Sequence, residues 1–166
     1  DAWFLVQTVY TTAVMKALIA AGGRGTRLRP ITYSMNKHLI PVANKPMIYY
    51  PLEKIAEAGI TDVAININEG DESIEKDVHD GSQFGLHVTY IEQRGGALGV
   101  AHIIKNAQEW LGDDSFVFYL GDNIVLGSLR PLVEHFKKSN ANAYLALSPV
   151  PDPERFGVPV INDKGE

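Results

Sequence analysis

A glycine-rich, basic turn is the part of the chain best suited to phosphate chemistry: Ala21-Gly22-Gly23-Arg24-Gly25-Thr26-Arg27-Leu28-Arg29-Pro30. It follows an apolar run, Ala17-Leu18-Ile19-Ala20, that reads as a buried strand. Glycines at a strand end let the backbone approach a ligand and turn its N–H groups toward it. Arginines beside them offer a guanidinium fork that matches phosphate oxygens. No Asp or Glu occurs from Ala2 to Leu52, while that stretch carries Lys16, Arg24, Arg27, Arg29, Lys37 and Lys45. The chain has a net charge of −5; Asp1 and those six cations sum to +5, so residues 53–166 carry −10. A basic segment in an acidic chain points to a small phosphorylated ligand rather than to a nucleic-acid face. A plain strand-to-helix turn with solvated arginines would not require glycines, arginines and acid depletion together. Two other phosphate motifs are excluded. A dinucleotide fingerprint starting at Gly23 would need Gly or Ala where Leu28 stands, and an acid about 20 residues later. A Walker loop would need G-K-[ST], which the sequence lacks.

A second constellation is Gly121-Asp122-Asn123, directly after the apolar run Phe116–Leu120. In an open parallel sheet, ligands bind beyond the carboxyl ends of the strands. An Asp leaving such a strand is placed for Mg²⁺, which takes one or two protein carboxylates together with substrate phosphates. Alone, Gly-Asp-Asn reads as an ordinary turn; opposite a basic glycine-rich loop, the metal reading is the better one. Lys37, in Asn36-Lys37-His38-Leu39-Ile40-Pro41, lies in the acid-free stretch near a short strand. It is a candidate third cation, with Arg27 and Mg²⁺, for phosphate charge.

The elements that must position these residues alternate along the chain. Strands are expected at Ala17–Ala21, Thr61–Ile67, Leu86–Ile91, Phe116–Leu120 and Ala143–Ser148. Helices are expected at Met47–Ala58, Asp71–His79, Leu98–Leu111 and Leu129–Ser139, with Gly59 and Gly112 as stops and Ser128 placed to cap the last. That order argues for βαβ units, right-handed crossovers and a mostly parallel sheet covered on both faces. Pro149, Pro151 and Pro153 make an extended segment before Phe156–Ile161, which Pro159 confines to an edge or irregular strand. Asn162–Glu166 reads as a hairpin turn without its second strand, the pattern of a fragment.

The 166 residues suit one domain. Without cysteine there is no disulfide or thiolate metal site, and His38, His79, His87, His102 and His135 lack zinc-ligand spacing. No apolar run is long enough to span a bilayer. Residues 1–14 lack the basic start and clear cleavage site of a signal peptide. Met15-Lys16-Ala17-Leu18 reads as a natural start, so residues 1–14 are expected to be an extension or an appended remnant, with an added strand as the other reading. The domain then begins near Met15 and takes in residues 15–166.

The ordered motifs resemble those of the sugar-1-phosphate nucleotidyltransferases. They are Gly22-Gly23-x-Gly25-Thr26-Arg27-Leu28-x-Pro30-x-Thr32, Lys37-x-Leu39-x-Pro41-Val42-x-x-Lys45-Pro46-Met47-Ile48-x-Tyr50, and Leu120-Gly121-Asp122-Asn123. Gly99-Val100-Ala101-His102 and Phe156-Gly157-Val158 are most similar to the long-form glucose-1-phosphate thymidylyltransferase branch. The resemblance implies an α/β, three-layer Rossmann-like fold with a mostly parallel sheet, incomplete here at the C-terminus, in a cytoplasmic enzyme, with residues 15–166 as the N-terminal nucleotide-binding part of its nucleotidyltransferase domain. The implied reaction joins dTTP and glucose 1-phosphate to give dTDP-glucose and pyrophosphate with Mg²⁺. A UTP-dependent uridylyltransferase, or a non-catalytic nucleotide-binding module, is the alternative. By the same resemblance Gly22, Gly23, Gly25, Thr26, Arg27 and Lys37 hold the triphosphate, and Gln93 and Gly99 sit at the base. Asp122 holds Mg²⁺, Gly157 meets the sugar, and Arg27, Lys37 and Asp122 carry catalysis. No nucleic acid or membrane partner is implied, and a homo-oligomer is left open. Three departures stand out. His38 replaces a usual Gln, and Gln93 to Gly99 is one residue longer than usual. The family's Glu-Lys-Pro segment and its second metal-binding Asp lie beyond this sequence, so little turnover is expected from these residues alone.

Overall fold

Four apolar runs become four parallel strands: β1 (Lys16–Ala20), β4 (Asp62–Asn68), β5 (His87–Gln93) and β6 (Phe116–Leu120). The computed structural model describes residues 14–23, 25–96 and 98–147. The order across the sheet is β5-β4-β1-β6, with Ala17 opposite Val63 on one side and Val117 on the other. A two-stranded antiparallel hairpin, β2 (Pro41–Val42) and β3 (Lys45–Pro46), stands apart from it.

Side chains alternate between the two faces of a strand. Ala17, Ile19, Val63, Ile65 and Ile67 face a core made with α1 (Tyr49–Glu57), α2 (Ser73–Val78) and α5 (Arg130–Lys138) through Leu52, Ile55, Ile74, Val78 and Val133. Leu18 and Ala64 face the other side, where α3 (Val100–Asn106) and α4 (Gln108–Leu111) supply Ile103, Ile104, Ala107 and Leu111. The result is the expected α/β arrangement of helix, parallel sheet and helix.

Helix ends follow local chemistry. Gly59, at φ 81°, ends α1 where a side chain would be strained. The Ser128 hydroxyl accepts the Arg130 N–H at 3.3 Å, at the start of α5, as its position suggested. Two expectations need correction. The single helix predicted over Leu98–Leu111 is two helices broken at Ala107, whose N–H is shared between the carbonyls of Ile103 and Ile104, both at 3.1 Å. The strand predicted from Ala143 is absent over residues 143–147, which are exposed and pair with no strand among the described residues. An apolar run becomes a strand only when a neighbour completes its hydrogen bonds. Ser148, the proline-broken segment, residues 156–166 and residues 1–13 lie outside the described residues.

Candidate nucleotide site at the carboxyl ends of the strands

The carboxyl ends of β1, β4, β5 and β6 lie on one edge of the sheet, and the glycine loop, Gln93 and Asp122 follow directly from those ends or close them. The Ala21 N–H still bonds the Asn66 carbonyl at 2.9 Å, after which the chain peels away as the glycine loop. Gly22 is tightly placed: a Cβ there would meet Gln93 Oε1 at 2.5 Å and Asn66 Oδ1 at 3.3 Å, so the Gln93 side chain would have to turn aside. Gly25 is required by both backbone and space. Its φ is 57°, and a Cβ would lie 2.9 Å from Thr32 Cγ2 and 3.1 Å from Lys37 Cβ. Its carbonyl accepts the Thr32 hydroxyl at 2.8 Å. From there a 3₁₀ turn, Thr26–Leu28, presents Thr26 and Arg27, both exposed. Among the described residues no carboxylate pairs with Arg27, which leaves its guanidinium free for a ligand.

Lys37 and Asp122 come from distant parts of the sequence and meet. Lys37 begins a 3₁₀ turn, Lys37–Leu39, and Asp122 is the second residue after β6. Lys37 Nζ donates to Asp122 Oδ2 at 2.7 Å, with side chains 19% and 44% exposed. Partial burial opposes ionisation of Asp122, but the hydrogen bond and charge of Lys37 outweigh it and hold the carboxyl below its ordinary value. Gly121 brings the two strand ends together, its N–H bonding the Ala20 carbonyl at 3.0 Å.

Beneath this pair lies His38, fully buried. Asn36 donates through Nδ2 to Asp71 Oδ2 at 2.8 Å, so its Oδ1 faces His38. That oxygen accepts the His38 backbone N–H at 2.9 Å and sits 3.1 Å from Nδ1. An amide oxygen can only accept, so Nδ1 carries the proton and Nε2 is an acceptor with no partner among the described residues. Burial first, and Lys37 second, push the imidazole down to about 4.

At the β5 end, Gln93 is nearly buried and donates Nε2 to the Gly96 carbonyl at 2.9 Å. Gly99 opens α3 at φ 95°. Gly157 lies outside the described residues. The sequence pattern missed Asn66 and Asn68, two carboxamides at the end of β4 beside the glycine loop. Their signal was present: Ile65-Asn66-Ile67-Asn68 places polar residues where a buried strand should be apolar. A depression of about 450 Å³ lined by Asp80, Leu86 and Thr89 lies at the opposite, amino end of β5, away from this cluster.

Residues suited to a metal ion are few. Among the described residues no three His, Asp or Glu side chains gather. Asp122 is thus a single, half-exposed carboxylate, which fits Mg²⁺ shared with ligand phosphates rather than a closed protein cage.

The sequence and the fold are shared with known proteins. The chain is 48% identical over 152 residues to a glucose-1-phosphate thymidylyltransferase of Streptomyces griseus, covering 92% of this chain and 42% of that one. It is 49% identical over 152 residues to the Streptomyces antibioticus protein of that name, again covering 91% and 42%. The chain therefore spans about two-fifths of the length of these curated relatives. A crystal structure of a Bacillus anthracis protein assigned as a glucose-1-phosphate thymidylyltransferase superimposes with a TM-score of 0.85 at 39% identity, over 90% of this chain and 61% of that one. Residues 16–166 match the nucleotidyl transferase family, and the chain belongs to that family.

Proposed function

We propose that this chain is the nucleotide-binding part of an enzyme that joins dTTP to glucose 1-phosphate, giving dTDP-glucose and pyrophosphate. The observation that carries this reading is the Lys37–Asp122 contact of 2.7 Å, set beside the glycine loop at the sheet's carboxyl edge. There a cation can hold phosphate oxygens directly, and a carboxylate can reach them only through a shared Mg²⁺. In the reaction a phosphate oxygen of the sugar phosphate attacks the α-phosphorus in line. The bond from that phosphorus to the bridging oxygen breaks, and pyrophosphate leaves. The protein has little covalent chemistry to perform; it positions two polyanions and offsets their charge.

Gly22, Gly23, Gly25 and Thr26 give the triphosphate a close backbone surface. Arg27 pairs with phosphate oxygens, and Lys37 turns from Asp122 toward them. Asp122 would hold Mg²⁺, which when bound supplies charge neutralisation on the phosphates. Gln93 and Gly99 flank the base, and Gly157 meets the sugar. Lining a pocket for thymine rather than uracil changes one methyl contact, a preference of about 1–3 kcal/mol.

The test is calorimetric titration of the chain with dTTP and with UTP in Mg²⁺. Binding of dTTP, tighter than UTP, is expected. Arg27→Ala should weaken dTTP binding on the order of tenfold, as loss of a charged hydrogen bond does. No binding of either nucleotide would sink the reading, and equal affinity of the wild type and Arg27→Ala would remove Arg27 from it.

A further inference from the structure

We propose that Asn68 is a positioning residue of the glycine loop: its carboxamide holds Gly23 in the conformation that receives the triphosphate. The proposal rests on the reading of this loop as a triphosphate site. Asn68 is the last residue of β4, in register with Gln93 at the end of β5. From there it reaches 45 positions back along the chain. The Gly23 N–H donates to Asn68 Oδ1 at 2.8 Å, and Asn68 Nδ2 donates to the Gly23 carbonyl at 3.4 Å. One side chain therefore engages both polar groups of Gly23.

Gly23 stands at φ 112°, and a Cβ there would meet nothing within 4 Å. Among the described residues no backbone group hydrogen-bonds to it, and no side chain of its own limits it. A glycine left free would sample many conformations and lose that freedom on binding a ligand, which lowers affinity. The other side of the loop is held at Gly25 by the Thr32 hydroxyl at 2.8 Å. Asn68 supplies the matching hold on the strand side. It anchors the loop to the sheet rather than to another loop.

The opposite role makes a different prediction. If Asn68 merely occupied an N–H that a phosphate oxygen would claim, removing its side chain would tighten nucleotide binding. The sign of the change separates the two.

The experiment uses the whole 166-residue chain with Asn68→Ala and Asn68→Asp. Amide hydrogen exchange is read without nucleotide, and dTTP–Mg²⁺ affinity by calorimetry. In Asn68→Ala the Gly23 amide should exchange on the order of tenfold faster while β4 amides keep their rates, and dTTP should bind about fivefold to tenfold more weakly. Asn68→Asp keeps an acceptor for the Gly23 N–H, so protection should return. Its affinity should stay low, because a carboxylate repels the triphosphate. Should Asn68→Ala fail to fold, Asn68→Ser, with a side chain too short to reach Gly23, takes its place. Unchanged Gly23 exchange, or dTTP binding as tight as wild type or tighter, would overturn the proposal. Absence of dTTP binding by the unaltered chain would instead defeat the functional reading, and the exchange rates alone would still decide whether Asn68 holds Gly23.

Discussion

Gly121→Ala sets two opposed effects against each other, and the structure says which wins. Gly121 is not among the residues with positive φ, so alanine can adopt its backbone. By that argument alone the substitution would stabilise by about 0.4–1 kcal/mol, through a less flexible unfolded chain. Space decides otherwise. The new Cβ would lie 2.9 Å from the Ala20 carbonyl oxygen, 3.1 Å from His38 Cδ2 and 3.2 Å from Ile19 Cγ2. The carbonyl cannot retreat without stretching the 3.0 Å bond it accepts from Gly121 itself. His38 and Ile19 are both fully buried and have nowhere to swing. Overpacking of this kind costs about 1–3 kcal/mol. The net is a loss of about 1–2 kcal/mol, or roughly 2–8 °C in melting temperature for a domain of this size. Gly127→Ala is the matched comparison. It also lacks a positive φ, and a Cβ there meets nothing within 4 Å, so only the favourable effect remains. Scanning calorimetry should show Gly121→Ala melting lower than wild type and Gly127→Ala no lower. If Gly121→Ala melts at or above wild type, the close approach of the two strand ends is not as described, and the placement of Asp122 beside β1 fails with it.

Two further outcomes follow from the same region. Asp122→Asn keeps the turn but removes the hard anionic ligand, so the chain should fold while Mg²⁺ no longer tightens dTTP binding; a wild-type response to Mg²⁺ in calorimetry would refute the ligand role. His38 is held at about 4 in the fold against an ordinary 6.5. The fold accepts the neutral ring, so the unfolded chain binds the extra proton between those values. The stability His38 contributes is therefore complete above pH 6.5 and is lost as pH falls toward 4, by up to about 3 kcal/mol. His38→Gln should flatten that part of a urea-unfolding pH series, and an unchanged slope would show that another group causes it.

The sheet was largely legible in the sequence. β1 and β6 are short apolar runs ending in glycine-containing turns, and every strand paired here except the small hairpin was placed within two residues. Local pattern reaches this far because apolar and β-branched residues dominate each run and turn residues bound it. It does not reach pairing. Residues 143–147 have the composition of a strand but no hydrogen-bonded neighbour among the described residues, and composition cannot supply one. The helix break at Ala107 left no mark, since Asn106-Ala107-Gln108 contains no proline or glycine. For the site, glycine and charge singled out the loop, Lys37 and Asp122 as separate candidates. Their 2.7 Å contact is a property of strand order, because β6 lies next to β1 and not beyond β5. Asn68 was overlooked because a polar strand end reads as the beginning of a loop, and its partner lies 45 positions away.

Strand order also sets the sequence in which the site can assemble. Ala17 pairs with Val63 and Lys16 with Phe116, separations of 46 and 100 positions. β1, β4 and β5 can close as successive short crossovers, whereas β6 must return across all of them to reach β1. The extra loop entropy is small, about 0.7 kcal/mol, but contacts of long range form late. During synthesis the glycine loop and Asn68 emerge from the ribosome before Asp122 does. Until β6 docks, β1 is an open edge able to pair with another chain. The Lys37–Asp122 ion pair thus marks the docking of β6: a chain stalled before β6 docks keeps its basic loop and lacks the carboxylate that balances it.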